Sequence, residues 1–156
     1  MRQFCNGKLS DAERDAAMMR YADHYKNVGE ETDELYLKGG ENMLRGLELF
    51  DRERLHIEAA FDWLAPRRDE ASAALLVSLV NVVAYTSDLR FHPRQRIRWL
   101  EGQREAARIT KDRQAEGNAL GNLGLAYAAL GELRKAIAAN LRGHRKPPRR
   151  PSPRPT

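Results

Sequence analysis

The residues of this sequence best suited to metal binding or nucleophilic catalysis are its histidines and its single cysteine. His24, His56 and His92 are widely separated, and no histidine is followed by another four positions later, the spacing of a zinc site on one helix face. Cys5 has no histidine close to it in the sequence, and no serine occurs in a Gly-x-Ser-x-Gly turn. The sequence therefore indicates neither a metal site nor an activated nucleophile.

Carboxylates at helical spacing are the remaining candidates for acid–base chemistry. Glu58 and Asp62 are four residues apart and would share a helix face, but such pairs arise by chance where 31% of residues are charged. The phosphate-binding motif G-x-x-x-x-G-K-[ST] is absent, because Gly7-Lys8 is followed by Leu9 and has no glycine five residues earlier. We predict a non-enzymatic protein without a metal or other cofactor; an enzyme subunit with an unrecognised site is one alternative.

The positive charge of the chain is concentrated in its last residues. The net charge is +5, but residues 144–156 hold five basic residues and no acidic one, which leaves 22 basic and 22 acidic residues in residues 1–143. Five prolines are interleaved with these basic residues, so we predict a disordered, polyproline-like tail. As an alternative function, this tail would bind nucleic acid or another polyanion. Its prolines also suit recognition by a proline-binding domain. Because no aromatic residue accompanies the arginines, the tail has no side chain on which a base would stack, and nucleic acid is not the expected partner.

No segment has the composition of a membrane span or of a secretory signal. The longest charge-free run covers residues 71–87, which is shorter than the roughly 18 residues of a span and contains Ser72, Ser78 and Asn81. The first thirty residues contain no continuous apolar run, and one cysteine cannot form an internal disulfide. We therefore predict a cytoplasmic protein that does not enter the membrane.

Two long helices are predicted in the first half of the chain. Ser10 and Glu13 fit a capping box at the start of the first helix, and Gly39-Gly40 ends it. Apolar residues at steps of three and four then predict a helix from about 41 to 65; they are Met43, Leu47, Phe50, Ile57, Phe61 and Leu64.

Two features of this half allow either a binding or a structural interpretation. The acidic run Glu30–Glu34 suits a cation or a basic partner, but a solvated helix face is the favoured interpretation. Trp63 and Trp99 suit a ligand platform, but each lies on or beside an apolar helical stripe, so packing between helices is favoured.

The middle of the chain is predicted to form a central core helix and a further helix after it. Asp69 and Glu70 suit a helix N-terminus, and the residues that follow, to about Ser87, are apolar around most of the circumference. Pro93 suits the first position of the next helix, which is predicted to reach about Thr110.

Residues 117–141 have the most specific pattern in the chain, that of two short antiparallel helices joined at Gly131. The first helix places large residues on one stripe and small ones beside it: Leu120, Leu123, Tyr127 and Leu130, with Gly121, Gly124 and Ala128. Glycine inside a helix costs about 1 kcal/mol relative to alanine, so these glycines indicate close approach of a neighbouring helix. In the second helix, Ala136, Ile137 and Leu141 are predicted to supply a face that packs back.

This pattern resembles the tetratricopeptide repeat. The matching residues are Leu120, Leu123, Gly124, Tyr127, Gly131 and Ala136. Asn140 replaces the aromatic residue of the family and Gly143 its alanine, so we expect the second helix to weaken towards its end. When the sequence is compared with itself at an offset of forty residues, the segment before the repeat matches it more faintly, which predicts a degenerate helix pair. The offset aligns Val80 with Leu120, Val83 with Leu123 and Ile97 with Ile137.

Other segments resemble a particular setting for such a repeat. RYADHYKNV and LELFDRERLHIEAAFDWL, in residues 20–64, and LRFHPRQRIRWLE, at 89–101, are similar to the helical region leading into the repeat array of bacterial NB-ARC (STAND-type) signalling ATPases. This resemblance covers residues 18–143 and implies a fragment or short relative of a signalling or regulatory protein. The ATPase activity is not implied, because the phosphate-binding motif is absent.

Together these features predict an all-α protein whose antiparallel helix pairs form a short, tetratricopeptide-like α-solenoid. The predicted units are a disordered N-terminus (1–10), an N-terminal helical region (11–66), a degenerate helix pair (69–110), the repeat (112–143) and the basic, proline-rich tail (144–156).

The resemblance implies a scaffold that binds other proteins or peptides. In the family the first helices of successive repeats line the concave face, which here implies a protein-binding set of Asn118, Gly121, Asn122, Leu125 and Ala128. Asn122 would hydrogen-bond the backbone of a ligand, or else face solvent. No helix is predicted to cover the outer face of the repeat, so we also expect self-association or a further array of repeats.

Overall fold

The computed structural model describes residues 10–143, and within them the chain forms seven helices and no strand. The helices are α1 (Asp11–Lys38), α2 (Glu41–Leu64), α3 (Glu70–Val82), α4 (Ala84–Arg90), α5 (Pro93–Ile109), α6 (Arg113–Ala129) and α7 (Leu133–Gly143). The predicted all-α class is confirmed. The segments predicted to be disordered, 1–10 and 144–156, lie outside the described residues except for Ser10.

The hairpin of α1 and α2 begins and turns where the sequence predicts. The backbone N–H of Ser10 donates to Glu13 Oε2 at 2.7 Å, and the backbone N–H of Glu13 donates to Ser10 Oγ at 3.2 Å, which completes the capping box. Gly39 and Gly40 have φ angles of +71° and +57°, a conformation that other residues rarely adopt. Gly46 then lets α2 approach closely, because an added Cβ there would lie 2.8 Å from the backbone nitrogen of Tyr36.

The predicted continuous helix from 69 to 87 is wrong, because the chain breaks at Val83 into α3 and α4. The two helices are bent by 66°. Tyr85 and Thr86 donate their backbone N–H groups to the carboxylate of Asp33 on α1, so α4 begins on a cap supplied by another helix. No single helix among residues 10–143 is long and apolar enough to cross a membrane; the bent pair of α3 and α4 together has that length and composition.

An aromatic stack joins α2 to the start of α5. The rings of Phe61 and Trp99 are stacked with centroids 4.3 Å apart, and Phe91 meets the edge of Trp99 at 5.0 Å. Trp99 is 2% exposed, so packing is its role in the fold. Trp63 is half-buried, with the guanidinium of Arg67 lying 4.2 Å from its ring centroid.

The last three helices pack one on the next in chain order. α5 packs against α3, α6 against α5 and α7 against α6. α6 begins before residue 117, where the repeat pattern starts, since Asp112 caps it by accepting the backbone N–H of Ala115 at 2.9 Å and residues 113–116 are helical. Gly131, with a φ of +74°, forms the turn between α6 and α7 as predicted.

Candidate functional site

The residues that define the predicted repeat hold α5, α6 and α7 together. Leu120, Leu123 and Gly124 on α6 and Ala136 on α7 are buried. Tyr127 is half-buried, and its hydroxyl donates to Glu101 Oε1 on α5 at 2.9 Å. Burial raises the pKa of Tyr127, so this phenol stays protonated and remains a hydrogen-bond donor.

The two residues that depart from the repeat pattern both contact α6. The side chain of Asn140 fills the space beside Gly124, where an added Cβ would lie 2.8 Å from Asn140 Cγ. Gly143 lies against Leu120, whose Cβ would be 3.4 Å from a Cβ added to Gly143. Both residues lie within α7, and the expected weakening of its end stays a prediction.

Two members of the predicted binding set, Asn122 and Leu125, line adjoining cavities beside α6. The cavity at Asn122 encloses about 360 Å³, and the cavity at Leu125 about 670 Å³, including space open to solvent. Both are lined by Phe91 and Arg96, so they adjoin. We call the two cavities together the α6 groove; residues of α3, α4, α5 and α6 line it.

The other three residues of the predicted set line neither cavity. Asn118 is exposed and accepts a hydrogen bond from the side chain of Gln114 at 3.2 Å. Gly121 has no atom within 4 Å of the position of an added Cβ, and Ala128 is exposed. The structure therefore separates Asn122 and Leu125 from the rest of the predicted face.

The α6 groove has a polar end that the sequence does not reveal. Asn81 on α3 lies there, and its Oδ1 accepts a hydrogen bond from Gln103 Nε2 at 2.6 Å. Trp99 also lines this cavity, and its indole N–H is buried without a hydrogen-bond partner among the described residues. Asn81 belongs to α3 and the other two residues to α5, so no pattern along the chain places Asn81 beside them.

An ion pair lies where the two cavities meet. Arg96 on α5 pairs with Asp88 on α4, and burial lowers the pKa of the Arg96 guanidinium from its ordinary value. Leu125 faces this pair from the larger cavity and is 66% exposed. The groove therefore offers a paired positive and negative charge beside an accessible apolar side chain.

The carboxylates and histidines named as candidates for chemistry have structural roles. Glu58 Oε1 accepts hydrogen bonds from Arg54 at 2.6 Å and from Gln95 at 2.8 Å, and Asp62 pairs with Arg98. The ring of His56 stacks on a tyrosine of α1, with centroids 4.9 Å apart. Within the described residues, no group of three or more His, Cys, Asp or Glu side chains is placed to hold a metal ion.

The acidic run of α1 is divided between the surface and the core. Glu30, Glu31 and Glu34 are exposed, as expected for a solvated face. Asp33 is only 6% exposed and caps α4, so the interpretation of the whole run as a solvated face is wrong for this residue.

Comparison with known proteins leaves this site to be interpreted from its own residues. No protein-family model, curated protein or solved structure matches the chain.

Proposed function

We propose that this protein is a non-enzymatic protein-interaction module of the tetratricopeptide type, which binds an extended peptide segment of another protein in the α6 groove. The observation that carries this proposal is the position of Leu125 and Asn122 in the adjoining cavities of the α6 groove. Helices that pack in chain order, as α5, α6 and α7 do, are typical of repeat arrays, whose concave faces bind ligands.

The chemistry of the groove fits a peptide backbone flanked by an apolar side chain. The side chain of Asn122 makes no hydrogen bond with the described residues. Its amide is therefore available both to donate and to accept, as a peptide group requires. Leu125 lies next to Pro93, Ala126 and Ala129 in the larger cavity, which gives an apolar surface for one side chain of the ligand. Covering a leucine fully from water contributes about 1.5–3 kcal/mol.

The paired charges of the groove favour a ligand without strong net charge. Arg96 and Asp88 satisfy each other, so a ligand of strong net charge gains little by displacing either one. We therefore expect the preferred segment to be close to neutral, with its polar backbone near Asn122 and its apolar residue near Leu125. By the resemblance stated above, the setting we propose is a cytoplasmic signalling complex.

Selection from a random-peptide display library tests this function without knowledge of the natural partner. The full chain should enrich a family of sequences that share an apolar position, and the Leu125→Glu variant should not enrich that family. Leu55→Glu is the matched control, because Leu55 is 78% exposed on α2 and lines no part of the groove. The proposal is wrong if no sequence family is enriched, or if Leu125→Glu enriches the same family as the wild type.

A further inference from the structure

α7 presents an uncovered apolar stripe to solvent. Leu133, Ile137 and Leu141 are four residues apart, and they are 64%, 60% and 68% exposed. The opposite face of α7 is occupied, since Ala136 and Ala139 are buried. A row of large apolar residues on one helix face, rather than single scattered ones, indicates a surface that another molecule covers.

The charges on α7 are all positive. The helix contains Arg134, Lys135 and Arg142 and no acidic residue. Lys135 pairs with Glu132 at 2.5 Å, whereas neither arginine of α7 has an ion-pair partner within residues 10–143. We call Leu133, Ile137 and Leu141, with Arg134, the α7 face; Arg142 lines cavities between α6 and α7.

The turn between α1 and α2 carries the complementary features. Leu37 and Leu44, on either side of the turn, are 61% and 63% exposed. Five exposed carboxylates near it have no ion-pair partner in the described part of the chain: Glu30, Glu31, Glu34, Glu41 and Glu48. We call the two leucines and these five glutamates the turn face.

The carboxylates farther along α2 are paired, unlike those near the turn. Farther along α2, Asp51 pairs with Arg90, Glu58 with Arg54 and Asp62 with Arg98. Only two basic residues, Lys38 and Arg45, accompany the five glutamates, and both are exposed. The turn face is therefore apolar and negative, while the α7 face is apolar and positive.

We propose that the α7 face of one copy docks on the turn face of a second copy, so that the protein associates head to tail. The two faces are opposite in charge and both expose leucines, and both belong to the same sequence. They lie on elements at opposite ends of the packing order, with α1 and α2 against α3 and α4, and α7 against α6. Two α7 faces would oppose arginine to arginine, so a two-fold contact between them is disfavoured. Because the contact joins unlike surfaces, it extends into open chains or closes into a ring. This inference does not depend on peptide binding in the α6 groove.

Sedimentation velocity on the full chain provides the first test. The weight-average mass should rise with protein concentration at low salt and should fall towards the monomer at high salt, because unpaired surface charges are screened. Ile137→Asp and Leu44→Asp each remove one of the two faces from every copy, so each variant in pure form should run as a monomer. The matched control Leu55→Asp, with its leucine exposed outside both faces, should associate as the wild type does.

Mixing Ile137→Asp with Leu44→Asp distinguishes a head-to-tail contact from a two-fold contact between identical faces. Ile137→Asp keeps an intact turn face and Leu44→Asp keeps an intact α7 face, so an equimolar mixture should form a one-to-one heterodimer that grows no further. A dimer of Leu44→Asp alone would overturn the proposal in favour of contact between α7 faces. A wild type that stays monomeric at low salt across the concentration range would overturn it as well. Circular dichroism of each variant verifies that the helices are retained.

Discussion

The carboxylate of Asp33 on α1 accepts two hydrogen bonds from Thr86 at the start of α4. Asp33 Oδ1 lies 2.9 Å from the backbone nitrogen and 2.7 Å from the hydroxyl oxygen of Thr86, and Oδ2 accepts the backbone N–H of Tyr85 at 2.9 Å. Beside this cap, Gly29 admits the side chain of Val83, where the chain bends. The cap therefore fixes the direction of α4, which carries residues that line the α6 groove.

Asp33→Ala should be among the most destabilising single substitutions in the described chain. It leaves two backbone N–H groups and a hydroxyl without their acceptor, and we expect a loss of roughly 2–4 kcal/mol in the free energy of unfolding. Urea denaturation followed by circular dichroism measures this change. Glu34→Ala is the matched control, since Glu34 is exposed on the same helix, and it should change stability by no more than about 0.5 kcal/mol. Equal effects of the two substitutions would contradict the role of the cap.

Gly124→Ala should stabilise the protein less than Gly121→Ala, although both glycines lie in α6. An added methyl group at Gly124 must displace the exposed amide of Asn140, which offsets part of the gain in helix propensity. At Gly121 nothing lies within 4 Å, so alanine should stabilise the helix by up to about 1 kcal/mol. Thermal unfolding of both variants gives the comparison, and combining Gly124→Ala with Asn140→Ala should remove the collision. Equal stabilisation by the two single substitutions would show that α7 does not pack closely on Gly124.

Asp69 should make part of the stability depend on pH in the acidic range. It caps α3 by accepting the backbone N–H of Ser72 at 2.9 Å, and this hydrogen bond holds its pKa below the ordinary value of 3.8. Because the pKa of Asp69 is lowered in the folded protein, its contribution to stability is fully present above the ordinary pKa. That contribution is lost as the pH falls through the lowered pKa of the folded state. Asp69→Ala should therefore cost about 1 kcal/mol at pH 7, and the difference from wild type should vanish in strong acid.

Asp69→Asn is the control for the origin of this pH dependence. Asparagine caps a helix about as well as aspartate but does not titrate, so this variant should keep most of the stability at pH 7. Its difference in stability from Asp69→Ala should stay constant between pH 7 and pH 2. Denaturant titrations at several pH values measure both differences. A pH-independent difference between wild type and Asp69→Ala would mean that the carboxylate of Asp69 is not the titrating cap.

The elements predicted correctly from the sequence are those determined by residues near one another in the chain. The capping box of Ser10 and Glu13, the turn at Gly39-Gly40 and the turn at Gly131 each depend on a few adjacent residues. The break at Val83 was missed because the residues around it form a continuous apolar run, while the acceptor that stabilises the break, Asp33, is more than fifty residues away.

The candidate site was predicted only in part for the same reason. Of the five residues that the resemblance implies, only Asn122 and Leu125 line the α6 groove. Arg96 and Asn81 come from α5 and α3, and their proximity to α6 follows from tertiary packing rather than from spacing in the sequence.

The central claim, that the α6 groove binds a peptide, is tested most directly by the affinity of one library-selected peptide for the wild type and for Leu125→Glu. Fluorescence anisotropy of the labelled peptide gives both dissociation constants. We predict at least a tenfold weakening for Leu125→Glu, equivalent to about 1.4 kcal/mol, and an unchanged constant for the control Leu55→Glu. Equal affinities for the wild type and Leu125→Glu would place the peptide elsewhere and contradict the account.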